Sequence, residues 1–263
     1  MRNTTILAAA ALISFGPLAH AALDVDSASF TYSESFDSLA ASGSTTWFND
    51  GTLAGWSLFN STGAAVTTYA ADNGASNAGA FKSLGSDSDR ALGGVGSGGS
   101  YFGSPASGTV AGWIALALQN NSGLAITAVT LGFDGEQWRN GGNTSAQPMV
   151  LEVGFGAGFA DVGTWTALGG SFDWASPVTG AGSGAVDGNG AGLVSGVGGS
   201  FATDWAAGDT LWLRWTERND FGNDHGLAID NLALTVTAVP EPGTYAMLLS
   251  GLLAIGAFVR RRG

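Results

Sequence analysis

Three acidic residues near the two ends of the chain predict a shared metal ion. Asp230 alternates with the apolar residues of segment 228–236, and Glu34 alternates with the aromatic residues of segment 30–36. Alternate residues of a strand share one face, so both carboxylates are expected to point at the core. A buried charge needs a partner, which is either a cation or a set of backbone amides. We predict that Glu34 and Asp230, with Asp37 as a third ligand, bind a structural Ca²⁺ that joins the first strand to the last.

A polar loop that precedes Asp230 offers further oxygen atoms. It carries Asn219, Asp220, Asn223 and Asp224 between two segments with strand patterns. Carboxylate and amide oxygens are ligands that calcium takes. Asn, Asp and Gly also dominate ordinary turns for backbone reasons. Both interpretations stay open on the sequence alone.

Trp138 and Arg139 are a candidate ligand-binding pair. They stand between a strand pattern and a loop rich in Gly and Asn, where an indole could present a flat platform to a sugar ring. The alternative is that Trp138 belongs to the core and that Arg139 pairs with Glu136.

The chain has few of the residues that catalysis requires. Cysteine is absent, and His225 is the only histidine after residue 21, which excludes a thiol nucleophile and a site of several histidines. Gly94, Gly96 and Gly99 fit a nucleotide-binding pattern, but no helix follows to receive a pyrophosphate. We expect no catalytic residues and a non-enzymatic protein. A carboxylate pair for glycoside hydrolysis remains an open alternative, because acids are plentiful.

Strands must position these residues. Apolar residues recur with a period of two, and clusters of Gly, Ser, Asn and Asp separate them. The clearest strand patterns lie at 129–133, 149–155 and 211–215, and the clearest predicted loops at 93–99, 140–143 and 180–192. Many short strands with Gly-rich turns predict an all-β protein, a single antiparallel β-sandwich of the jelly-roll type over residues 22–238.

The charge of the predicted domain excludes one class of partner. Residues 22–238 contain twenty acidic and five basic residues, a net charge of −15. Nucleic-acid affinity is built from Lys and Arg contacts to phosphates, so we expect no nucleic-acid binding. An acidic surface favours solubility and cation binding instead.

The first 21 residues predict export. Arg2 is followed by an uncharged apolar run at 6–15, then by Pro17 and the small-residue pattern Ala19-His20-Ala21. This order is that of a signal peptide cleaved near Ala21.

Residues 239–263 predict a membrane-bound tail. Pro240, Glu241 and Pro242 precede an uncharged apolar stretch at 244–259, and Arg260, Arg261 and Arg262 follow it. A helix of that length, at about 1.5 Å per residue, is somewhat short for a bilayer core of roughly 30 Å. The three arginines should stay cytoplasmic, which places the domain on the other side of the membrane.

This tail resembles the PEP-CTERM sorting signal in its Pro-Glu-Pro segment, hydrophobic helix and arginine cluster. The resemblance implies that a membrane-embedded transpeptidase, an exosortase, recognises Pro240-Glu241-Pro242 in a Gram-negative bacterium that makes exopolysaccharide. Prolines on both sides of Glu241 disfavour a helix there and keep the backbone extended for such an enzyme. The expected location is an inner-membrane-anchored intermediate, then the cell surface or extracellular matrix of a biofilm.

The domain is distantly similar to concanavalin-type jelly rolls such as MAM domains. Glu34-Ser35-Phe36-Asp37 and Ala228-Ile229-Asp230-Asn231 carry that resemblance. It implies a structural cation between the first and last strands, although the MAM disulfides are missing. We expect a structural or interaction role in the matrix, with a carbohydrate-binding module as the alternative and a glycan-degrading enzyme as a third possibility.

Overall fold

A computed structural model describes residues 22–97 and 101–238. The predicted signal peptide at 1–21 and the predicted tail with Pro240, Glu241, Pro242, Arg260, Arg261 and Arg262 lie outside these residues. Within the described segments, no helix has the length and apolar character needed to cross a membrane.

Short strands make up most of the described chain. They are β1 (Leu23–Val25), β2 (Thr31–Glu34), β3 (Ser44–Thr46), β4 (Trp56–Asn60), β5 (Thr68–Asp72), β6 (Ala80–Ser86), β7 (Asp89–Val95), β8 (Thr109–Asn120), β9 (Ile126–Gly141), β10 (Pro148–Met149), β11 (Leu151–Phe155), β12 (Thr166–Ala167), β13 (Trp174–Ala175), β14 (Ser183–Ala185), β15 (Leu193–Trp205), β16 (Thr210–Asn219) and β17 (Gly226–Ala238). Two single-turn 3₁₀ helices lie at Phe159–Asp161 and Gly170–Phe172.

The strands form two large sheets that pack as a sandwich. The first has the order β1-β8-β16-β11-β12, with β4 also paired to β8. The second has the order β14-β9-β17-β7-β6-β5-β3, with β15 on β9 and β2 on β17. The prediction of an all-β sandwich is confirmed. The sheets are mixed rather than purely antiparallel, because β1 pairs with β8, and β5 with β6, in parallel.

One apolar core lies between the two sheets. Trp215 of β16 stacks on Trp56 at 5.6 Å and meets Phe133 of β9 edge to face at 5.6 Å, so one ring bridges both layers. The strand pattern predicted at 129–133 lies in β9, and the one at 211–215 lies in β16. The pattern at 149–155 covers the end of β10 and all of β11. In each, alternate apolar residues enter this core, as the period of two requires.

The Gly-rich segment 93–99 was predicted to be a loop, and this prediction is wrong for its first residues. Gly93 and Gly94 lie inside β7. A Cβ on Gly93 would come within 1.9 Å of the Leu227 carbonyl oxygen of β17, so only glycine allows these strands to lie so close. Glycine here permits a close strand contact, and composition alone cannot distinguish that use from a turn.

A bulge in β17 changes the face on which its side chains lie. Asn231 has φ of 49°, and the pairing with β9 shifts between Asp230 and Ala233. Before the bulge Leu227 and Ile229 enter the core, and after it the core residues are Leu232, Leu234, Val236 and Ala238. An extra residue in one strand reverses the alternation. Asp230 therefore shares its face with Ala228, which packs outside the main core with Leu84, Ala91 and Trp138.

Candidate functional sites

Asp230 and Glu136 are buried acids on the outer face of the nine-stranded sheet. Both residues are only 1 % exposed to solvent. Asp230 Oδ1 and Glu136 Oε1 are buried and make no hydrogen bond within the described part of the protein. Glu136 Oε2 accepts a hydrogen bond from Trp138 Nε1 at 2.7 Å. Two buried carboxylates thus lack partners for half of their oxygen atoms, an arrangement that is costly unless a proton or a cation neutralises it.

Four further acids surround this pair and complete what we call the acidic cluster. Its members are Asp37, Asp89, Asp134, Glu136, Asp187 and Asp230. Burial is the main cause that raises the pKa of Asp230 to about 8, with smaller contributions from the charges of Glu136, Asp89 and Asp37. Burial likewise raises the pKa of Glu136 to about 7, against the hydrogen bond from Trp138 and with repulsion from Asp89, Asp134 and Asp187. Desolvation is the first cause in both cases.

The acids of this cluster are not close enough together to form a metal site from side chains alone. Among residues 22–97 and 101–238, no three side chains of His, Cys, Asp or Glu are grouped so that they could hold an ion. A cation bound at Asp230 and Glu136 would therefore need backbone carbonyls, amide oxygens or water to complete its coordination, all of which calcium accepts.

The structure places Glu34 opposite Leu232 in the β2–β17 pair, whereas Asp230 shares the outer face of β17 with Ala228. Glu34 Oε1 accepts a hydrogen bond from the Phe36 amide at 2.8 Å, and Oε2 accepts one from the Tyr32 hydroxyl at 3.2 Å. Tyr32 itself packs against the main core, whereas Asp230 lies just before the bulge and on the outer face. The prediction assumed regular alternation through Asn231, which the bulge interrupts.

Asp37 remains near Asp230, since its charge raises the Asp230 pKa. One Asp37 oxygen, Oδ1, accepts a hydrogen bond from the Arg90 amide at 3.0 Å. Glu136 and Asp89 were missed. The continued alternation of Asp134, Glu136 and Trp138 along β9 could have identified Glu136 as a buried acid.

Trp138 and Arg139 point to different surroundings. Trp138 is 4 % exposed, and a Cβ on Gly188 would lie 2.3 Å from its ring, so its faces are covered. This burial agrees with the alternative in which Trp138 is a core residue and does not form a platform for a sugar ring. Arg139 does not pair with Glu136. Its Nη1 donates to the carbonyl oxygens of Gly74 at 3.0 Å and Ala75 at 2.9 Å.

Arg139 also lines a polar pocket beside the loop that follows β16. The pocket has a volume of about 250 Å³. Its other walls are Asn77, Ser97, Gly141, Ser183, Asn219, Gly222, Asn223 and Asp224. Most of these side chains can both donate and accept hydrogen bonds or carry a charge. The loop singled out from the sequence as a source of oxygen atoms thus contributes to a cavity with one guanidinium and one carboxylate.

A second pair of buried acids consists of Asp224, which lines this pocket, and Glu217, on which the Asp224 charge acts. Glu217 of β16 is 3 % exposed, and its Oε1 makes no hydrogen bond in the described structure. Burial raises its pKa to about 8, with smaller contributions from Asp224 and Asp220. Burial also raises the pKa of Asp224 to about 7. Glu217 alternates with Leu211, Leu213 and Trp215, a pattern in the sequence that predicts a buried acid.

All five basic residues of the domain are engaged by neighbouring groups. Lys82 pairs with Asp72 at 2.5 Å, and Arg218 donates to the Gly108 carbonyl at 2.6 Å. Arg214 bonds Glu152 at 2.7 Å and lies between the rings of Trp113 and Trp165. Arg90 and Arg139 donate to backbone carbonyls, Arg90 to those of Asp72 and Ser83. The negative charge of the domain therefore has little positive surface beside it.

Comparison with solved structures gives distant likenesses only. The K3 cleaved adhesin domain of Lys-gingipain from Porphyromonas gingivalis is 13% identical, with a TM-score of 0.39 over 69% of this chain and 92% of that one. The CBM22-1 xylan-binding domain of Paenibacillus barcinonensis Xyn10C is 10% identical, with a TM-score of 0.34 over 82% of this chain and 99% of that one. At such TM-scores these likenesses carry no information about what the chain binds. None of the curated proteins matches it.

The segment after β17 does match a known family model. β17 ends at Ala238, and residues 238–262 match the PEP-CTERM protein-sorting motif. The match includes Pro240-Glu241-Pro242, the apolar stretch and all three arginines, so the resemblance stated from the sequence is confirmed. Residues 238–262 are a PEP-CTERM protein-sorting motif, and the chain is an exported protein that carries this membrane-anchoring signal after its β domain.

Proposed function

We propose that the chain is a non-enzymatic protein of the cell surface or exopolysaccharide matrix of a Gram-negative bacterium. An exosortase recognises Pro240-Glu241-Pro242 and processes the tail. One observation carries this proposal: residues 238–262 match the PEP-CTERM protein-sorting motif. All strands in the described part of the chain lie at or before Ala238. Cleavage at the motif would leave every strand of the sandwich in place.

A structural role suits the domain better than catalysis. His225 is buried. Its Nδ1 accepts a hydrogen bond from the Gly141 amide at 3.0 Å, and its Nε2 lies 3.3 Å from the Ser145 carbonyl oxygen. It is occupied in holding the chain together. We propose a single jelly roll over residues 22–238 with no catalytic residues.

We also propose that the acidic cluster holds a structural cation, with Ca²⁺ as the most suitable ion. The specific support is the pair of buried carboxylate oxygens, Asp230 Oδ1 and Glu136 Oε1, that lack hydrogen-bond partners in the described structure. Asp37 and Asp89 lie close enough to act on Asp230 electrostatically. A hard dication with oxygen ligands would neutralise the buried charges and satisfy these atoms. Glu34, whose carboxylate is occupied by Phe36 and Tyr32, is not part of this proposed set.

Mass spectrometry of the mature protein from the producing cells tests the sorting proposal. We expect an N-terminus near Ala22, a C-terminus created at or near Pro240-Glu241-Pro242, and any group that the transpeptidase attaches. A protein that retains Arg260, Arg261 and Arg262 in its mature form would contradict processing by an exosortase.

A further inference from the structure

We propose that the polar pocket beside the loop after β16 is a binding site for one sugar residue of a neutral polysaccharide, with Phe221 as the aromatic platform at its side. This inference goes beyond sorting and display, and it does not depend on the cation. It rests on the pocket's chemistry, the exposure of Phe221, the rigidity of the loop and the charge of the domain.

The pocket offers the mixture of groups that sugar hydroxyls require. A hydroxyl both donates and accepts, so it is best held by a fixed donor and a fixed acceptor together. Arg139 supplies a donor whose position is set by two backbone carbonyls, and Asp224 supplies an acceptor. The side-chain amides of Asn77 and Asn223 add groups of both kinds. At about 250 Å³ the pocket is below the roughly 300–1,000 Å³ typical of drug-sized ligands, which suits a single sugar residue.

Phe221 supplies the apolar surface that such a site needs. Phe221 is 78% exposed, which makes it the most exposed large hydrophobic residue in the described structure. The next two residues, Gly222 and Asn223, line the pocket. The Phe221 ring lies against Gly108, where an added Cβ would come within 2.5 Å of it, and the part of the ring that faces solvent can stack on the C–H face of a pyranose ring.

The loop that presents these groups is held from several sides. Asn143 Nδ2 donates to the carbonyl oxygens of Phe221 at 2.8 Å and Asn223 at 3.0 Å, and Gln147 Nε2 also donates to the Asn223 carbonyl at 2.9 Å. Asp224 Oδ1 accepts from the Asp220 amide at 2.6 Å. A loop fixed in this way loses little conformational entropy when a ligand binds, which favours affinity.

Charge decides which polysaccharide fits. The domain has a net charge of −15, and its five basic side chains are all engaged within the fold. Asp224 in the pocket is itself an acid. The negative charge of the domain would repel polysaccharides that carry uronic acid or sulfate groups, whereas it does not weaken the binding of a neutral glycan. The proposed ligand is therefore an uncharged hexose or pentose unit within a polymer.

Affinity electrophoresis of the mature exported protein tests the proposal. The probes are xylan, glucomannan, mixed-linkage β-glucan and galactan as neutral polymers, alginate as an anionic one, and the polysaccharide purified from the producing strain. We expect retardation by at least one neutral polymer and none by alginate. Phe221→Ala and Asn223→Ala should each raise the dissociation constant by about tenfold or more, since the first removes the platform beside the pocket and the second removes part of its wall.

Two controls separate binding from misfolding. Phe48→Ala removes another exposed phenylalanine, in the loop that leads into β4, and should bind as the wild type does. Melting temperatures of all variants should agree closely, because the Phe221 ring is exposed and the Asn223 backbone bonds are retained. The proposal is overturned if no neutral polymer binds, if alginate binds equally well, or if Phe221→Ala and Phe48→Ala behave alike. The sorting proposal is read from a different measurement, the mass of the mature chain, and stands or fails separately.

Discussion

Asp230 lies diagonally across the β17–β9 pair from Glu136, and each residue buries one carboxylate oxygen that has no hydrogen-bond partner in the described structure. Diagonal neighbours on one face of paired strands are within reach of each other's side chains. Burial raises the pKa of both groups, and the charge of Glu136 adds to the increase at Asp230. This relationship between two acids is the basis of the first prediction.

Removing divalent cations should destabilise the protein through the acidic cluster. A ligand that binds only the native state contributes about 2.7 kcal/mol when it is present at a hundredfold excess over its dissociation constant. For a domain of this size that corresponds to a decrease of roughly 5–10 °C in melting temperature on chelation. Thermal unfolding with EDTA and with added CaCl₂ measures it.

Two variants test whether the effect of chelation on the melting temperature arises at Asp230. Asp230→Asn should remove most of the response to chelation, whereas Asp204→Asn, which changes an exposed acid outside the cluster, should keep it. If elemental analysis shows metal-free protein whose melting curve does not respond to CaCl₂, the cation proposal is wrong, and Asp230 is instead held in its protonated form.

The buried acid Glu217 should make the protein lose stability as pH rises from about 4 to about 8. Its pKa in the fold, about 8, lies above the ordinary value near 4.3, so the native state binds this proton more tightly than the unfolded state does. The stability that the protonated form contributes is complete below about pH 4 and is lost as pH rises through 8. We expect Glu217→Gln to gain roughly 2–4 kcal/mol relative to the wild type between pH 5 and pH 9. Urea unfolding at several pH values would reveal this, and parallel curves for the two proteins would contradict it.

The bulge at Asn231 should tolerate glycine and reject β-branched residues. Asn231 has φ of 49°, a conformation that Asn and Gly adopt readily and Val does not. Asn231→Gly should change stability by a few tenths of a kcal/mol, whereas Asn231→Val should cost on the order of 2 kcal/mol or more. Chemical denaturation compares them. Equal losses in both variants would show that the Asn231 side chain, which donates to Asp134 Oδ2 at 3.2 Å, matters more than the backbone.

Replacing Pro240-Glu241-Pro242 by three alanines should leave export intact and abolish processing of the tail, because recognition is lost while the apolar stretch remains. Thr244→Ala, just beyond the Pro-Glu-Pro segment, serves as the control and should be processed normally. Neutral residues at Arg260, Arg261 and Arg262 should weaken retention of the tail in the membrane. Immunoblots of membrane and secreted fractions distinguish these outcomes. Normal maturation of the triple-alanine variant would exclude this segment as the recognition signal.

The sequence predicted the strands and the sorting signal well, for different physical reasons. Alternation reports burial directly, so Leu211, Leu213 and Trp215 were placed correctly on the core face of β16. The Pro-Glu-Pro tail depends on the order of residues and not on tertiary contacts. The acidic site was only partly predicted, because a single residue in a left-handed conformation, Asn231, moved Asp230 to the other face. Which acids meet Asp230 depends on the pairing of β17 with β9, and no local pattern contains that information.

The central position of β17 determines how the domain would carry mechanical load. This strand pairs with β9 along most of its length, and with β7 and then β2 on its other side. Its last residue, Ala238, adjoins the segment through which the chain is attached during sorting. Tension applied there pulls along the strand axis, so hydrogen bonds to neighbours on both sides are sheared together rather than opened one at a time. A protein held by this end at a moving cell surface would resist extension through a strand that is paired on both sides.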